Sequence, residues 1–115
     1  MFFMCDIKKE LKKYDKLKKR IKVLESIIKF EDDQKRIKKL ENEIISIRFQ
    51  LNVLNNLIKE LPEKERKIIK YRYINKYSWA KICTITGDSE RGIRYKMNNG
   101  IKKIDFIFNK YGYIV

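Results

Sequence analysis

Residues 6–61 contain neither glycine nor proline. Nothing in that half of the chain breaks a helix or permits a tight turn, because those two residues are the strongest local punctuators of backbone structure. The four glycines and the single proline of the chain all lie in its second half. No run of alternating apolar and polar residues bounded by turn residues suggests a strand. An all-α fold follows: a long N-terminal helical or coiled-coil arm over residues 1–60, then a smaller helical unit over residues 61–115.

The apolar residues of the arm give it a register. Ile37, Leu40, Ile44, Ile47, Leu51, Leu54, Ile58 and Leu61 alternate by three and four. That is the seam spacing of a coiled coil. Upstream, Tyr14, Leu17, Ile21, Leu24 and Ile28 obey the same rule. The step from Ile28 to Ile37 is nine residues, so the two stripes do not share one phase. Asp32 or Asp33 at the break can cap a new helix. Two helices, 6–30 and 33–60, fit better than one long helix with a register shift. The second stripe fits two roles. It can zip two copies together through Ile37, Leu40, Ile44, Ile47, Leu51, Leu54 and Ile58, or it can form an internal core. The lysines from Lys8 to Lys22 fit two roles, a face resting near DNA phosphates or a solvated face, and the solvated face is the favoured reading.

Charge narrows the partner. Twenty-nine basic against 15 acidic side chains give a net +14. A balance this basic points to an anionic partner, with nucleic acid first. The arm carries 16 basic and 10 acidic residues over 6–61, and the remainder 13 and 5. The chain has no histidine and two cysteines, Cys5 and Cys83. This removes the usual general base and any zinc set. No phosphate-binding glycine loop occurs. We therefore expect no enzyme, no metal and no cofactor. "MFFMC" is shorter than the ~7–15 apolar residues of a secretory signal, so a reducing, cytoplasmic setting and no membrane partner are expected. The same five residues are expected to pack on the first helix or on a partner.

The second half is punctuated. Pro62 suits a helix start. Ile68 and Tyr71 or Tyr73 face inward from the first helix. Ser78 is an N-cap, although Lys81 at the third position denies it a capping box. Trp79, Ile82, Cys83 and Ile85 form the inner face of a short helix. Gly87 suits a left-handed C-terminal turn, and Asp88 or Ser89 caps the next helix. Ile93, Met97, Gly100 or Ile101, and Ile104 line that helix's buried side. Glu90, Arg91, Arg94, Tyr95, Asn98 and Lys102 point away. Tyr111 and Tyr113 are placed to close the core. A short helix, a glycine turn and a second helix with polar early residues make a helix-turn-helix. The side chains suit its task. Arginine bonds guanine O6 and N7 together, asparagine pairs with adenine, and glutamate accepts from cytosine N4.

"LPEKERKIIKYRY" followed by "SWAKICTITGDSERGIRYKMNNGIKKI" resembles region 4 of bacterial sigma factors. That family's pattern is LPxxER, then S-[YW]-x-x-I-A-x-x-x-G-x-S, then an apolar residue before Arg, then a late Lys-Lys-[Leu/Ile]. The matching positions are Leu61, Pro62, Glu65, Arg66, Ser78, Trp79, Ile82, Gly87, Ser89, Ile93, Arg94, Lys102, Lys103 and Ile104. "YRYINKYSW" is similar to the sigma-like phage regulators of the ArpU and RinA type. The resemblance spans about residues 60 to 106 without gaps. Cys83 stands in place of a usual Ala, Asp88 in place of an apolar residue, and Gly92 would weaken the early recognition helix. The arm does not resemble the promoter-melting region 2, so a complete sigma factor is not expected.

The resemblance implies sequence-specific binding of double-stranded DNA through the helix 89–104. Base contacts are expected from Arg91, Arg94, Tyr95 and Asn98, with Glu90 beside them, and phosphate contacts from Ser89, Lys96 and Lys102. It implies a transcriptional regulator of a phage or mobile element with RNA polymerase as a further partner, and the apolar stripe of the arm is expected to make it a homodimer. Two rivals fit the same residues: a small terminase-like packaging subunit, and an interaction module that docks on RNA polymerase without touching DNA.

Overall fold

The computed structural model describes residues 7–111, with Tyr111 placed through its backbone alone. Every element among the described residues is helical: α1 (Ile7–Phe30), α2 (Gln34–Lys59), α3 (Glu63–Ile69) running into a π-helical turn (Lys70–Ile74), α4 (Trp79–Thr86) and α5 (Glu90–Tyr111). The parts expected of "MFFMC" and of Tyr113 lie outside the described residues, as does the Tyr111 side chain.

α1 and α2 form the helical hairpin that the phase break between Ile28 and Ile37 foretold. Asp33 caps α2, its carboxylate accepting the Lys35 N–H at 2.9 Å. The two stripes meet each other. Ile44, Ile47, Leu51, Leu54 and Ile58 of α2 are buried, with Tyr14 and Leu24 of α1 buried opposite. Ile37 and Leu40, nearer the hairpin tip, are half-buried. The seam is therefore consumed within the chain. An intermolecular zipper through these seven residues would have to displace α1. Periodicity alone could not separate these cases, since a coiled-coil seam and a hairpin core use the same spacing. Ion pairs Arg20–Glu43 (2.8 Å) and Arg48–Glu25 (3.0 Å) flank the seam. As exposed pairs they set orientation more than stability.

The hairpin is not a free arm. Ile7 and Leu11, at the start of α1, are fully buried and join one continuous core with Ile69, Ile82, Ile93 and Ile104 of the C-terminal helices. The Tyr14 hydroxyl of α1 donates to Asn55 Oδ1 of α2 at 3.1 Å, a part-buried bond across the hairpin.

α3 lies against α5 at close range. Gly100 has no side chain, and a Cβ there would sit 3.0 Å from Ile69 Cδ1 and 3.3 Å from Glu65 Cβ. Glu65 accepts from the Lys103 ammonium with both carboxylate oxygens at 3.0 Å. The "LPEKER" start and the "GIKKI" end of the motif are thus one structural clamp, held by Leu61, Glu65, Gly100 and Lys103.

Candidate nucleic-acid interface

The turn between α4 and α5 forms as the residues demand. Ser78 caps α4, its hydroxyl accepting the Lys81 N–H at 3.1 Å. Gly87 closes α4 at φ 76°, its N–H donating to Cys83 O at 2.8 Å. Glycine takes that left-handed conformation without strain. Ser89 then caps α5: its hydroxyl accepts the Gly92 N–H at 3.1 Å. Gly92 therefore sits in a turn already fixed by a cap, and α5 runs through it unbroken to Tyr111, past the expected end at 104.

Ile93, Met97, Gly100 and Ile104 are buried, while Arg91, Arg94, Tyr95, Asn98 and Lys102 are exposed. Those five lie within about one face of α5, spaced three and four apart. Tyr95 is 68% exposed, so its phenol is presented outward rather than packed. Glu90 is exposed at the first turn and accepts from Arg94 Nε at 2.9 Å. Lys96 is half-buried and donates to Asp88 Oδ2 at 3.0 Å. Its charge bridges the turn, which gives the polar Asp88 a structural use.

Trp79 packs against the core, as expected, but only partly. It is half-buried, and two guanidinium groups crowd its indole: Arg72 at 4.4 Å and Arg94 at 4.3 Å from the ring centroid. The sequence showed an aromatic at helical spacing and gave no sign that its neighbours would be cationic. Ile85 departs from the expected inner face: it is 46% exposed. Between Tyr71 and Tyr73, the structure buries Tyr73 and stacks Tyr71 on Tyr77, centroids 5.8 Å apart.

The segment before α4 was the least legible part. The π-helical turn closes with Asn75 N–H donating to Lys70 O at 2.8 Å. Arg72 Nη1 then donates to Tyr77 O at 3.0 Å. Lys76 follows at φ 61°, the sole non-glycine residue with positive φ among those described. A cleft of about 570 Å³ opens beside it, between α1, the π-helical turn and α5. Lys8, Lys12, Arg72, Lys76 and Arg94 line it, with Trp79 and Asn98. Lys8 and Lys12 are exposed, and the fold brings them beside the recognition helix.

Residues 51–104 match the family model described as Sigma-70, region 4. The match begins inside α2 and ends in α5, so it includes the whole helix-turn-helix and the clamp beneath it. The C-terminal part of the chain thus has a region 4-like helix-turn-helix. A curated relative, Bacteriocin UviA of Clostridium perfringens, is 32% identical over 81 residues, covering 70% of this chain. The chain spans 39% of that relative's length. No solved structure matches. No described helix is long and apolar enough to cross a membrane. The region 4-like match leaves α1 outside it entirely, although α1 contributes two lysines to the cleft beside the recognition helix.

Proposed function

We propose that this protein is a sequence-specific, non-enzymatic regulator of transcription that reads the major groove of duplex DNA with α5. The observation that carries the reading is the exposed stripe Arg91, Arg94, Tyr95, Asn98 and Lys102 on a capped helix of a region 4-like helix-turn-helix. Ser89 and Lys102 serve phosphates in this reading. Lys96 reaches DNA only by leaving Asp88. The proposed setting is the cytoplasm, the proposed targets are genes of a phage, another mobile element or a bacteriocin locus, and RNA polymerase is the proposed protein partner.

Footprinting on fragments of the source genome at about 150 mM salt tests this, because non-specific binding is weak there. We expect a protected site near a promoter. Uniform weak binding that vanishes as salt rises would overturn sequence-specific reading and favour docking on RNA polymerase without DNA.

A homodimer fits the proposal through surfaces other than the α2 seam. Val23, Ile27 and Phe30 of α1 and Ile45 and Phe49 of α2 are exposed, Phe30 by 87%. Pairing through these would leave the hairpin closed and let two recognition helices span two half-sites. Light scattering is expected to give the mass of a dimer. A ring of many subunits would favour a terminase-like packaging role instead.

A further inference from the structure

We infer that the cleft between the start of α1 and the recognition helix is a binding site for the phosphate backbone of duplex DNA, so that α1 joins the interface. The inference rests on the reading of α5 as a groove-reading helix, and extends it to a helix outside the region 4-like residues.

Three elements converge there. α1 supplies Lys8 and Lys12, one turn apart on one face; the segment after α3 supplies Arg72 and Lys76; α5 supplies Arg94. None of the described residues lining the cleft is acidic. Glu90 already pairs with Arg94 and Asp15 lies near Lys76, yet the concavity still presents a cationic lining that suits an anion.

Lys76 adds a second, independent sign. A β-carbon at φ 61° is strained, and glycine or asparagine would relieve it. The chain places a lysine there instead, at the rim of the cleft. Backbone strain of this kind collects at functional sites.

Two features select backbone phosphate over a nucleobase. The Trp79 ring is already taken up by the Arg72 and Arg94 guanidinium groups, so it offers no free platform for base stacking. Arg94 and Asn98 belong both to the cleft and to the exposed stripe of α5. A duplex seated on that stripe therefore runs one of its strands past the cleft.

The test uses the full chain and measures duplex affinity over a range of salt, on the protected site and on a random duplex. Two variants are compared with the parent: Lys8→Gln with Lys12→Gln, and Lys76→Gly. Each lysine removed should flatten the slope of log affinity against log salt by about 1. Affinity should fall equally for both duplexes, by about 10-fold at 0.15 M salt for the double variant. Lys76→Gly should melt no lower than the parent, because glycine accepts the left-handed backbone, so its weaker binding cannot be ascribed to unfolding. Parental salt slopes in both variants would overturn the inference while leaving the α5 reading intact. A changed sequence preference at parental slope would also overturn it, because the cleft would then read bases. A parent chain that binds neither duplex would overturn the α5 reading itself, and this inference with it.

Discussion

Leu51→Asp is expected to unfold the hairpin and the C-terminal bundle together. Leu51 is 8% exposed, on the face of α2 that meets α1. Truncating a buried leucine costs about 2–5 kcal/mol, and an unpartnered carboxylate in that place costs several kcal/mol more. The stability of a small domain is about 5–15 kcal/mol, so one substitution removes most of it. Because the core is continuous from Ile7 to Phe108, the loss should appear as one cooperative transition by circular dichroism. A Leu51→Asp chain that keeps its helical signal and only halves in mass would show instead that the seam joins two copies.

The second large effect concerns Arg94. Its Nε is held by Glu90 and its guanidinium plane lies against Trp79. The side chain is therefore fixed before DNA arrives, with its terminal amino groups left to meet a base edge. An arginine used this way on guanine supplies about 1–3 kcal/mol of discrimination. Arg94→Ala should lose about 10- to 100-fold in affinity for the protected site and bind variants at one base position more evenly. Helix content should not change, because the residue is half-exposed and caps nothing. Competition binding checks this, and unchanged affinity would mean that α5 presents a different face.

The elements that were legible in the sequence had strong local chemistry. The nine-residue step from Ile28 to Ile37 and the acidic pair at 32 and 33 marked the hairpin. Gly87 and Ser89 marked the turn, since few other residues serve a left-handed C-terminus followed by an N-cap. Less legible was whatever depended on distant residues. The partner of the α2 seam, the inward turn of Tyr73 and the outward turn of Ile85 are decided by packing, not by period. The π-helical turn has no composition of its own, because a bond five residues back needs no special residue. That turn and Lys76 together set where Arg72 and Trp79 fall. The cleft was invisible for the same reason: Lys8 and Lys12 lie at least 60 residues before the other cations of the cleft.

Trp79 is the chain's sole tryptophan, and the Arg94 guanidinium that stacks on it belongs to the stripe proposed to meet DNA. Cationic charge against an indole acts on the π-electrons of the ring, the same electrons that absorb and emit ultraviolet light. Any event that draws Arg94 toward a base or a phosphate changes the field on that one fluorophore. The fold thus carries its own optical reporter at the edge of the recognition helix, readable without a dye or a label.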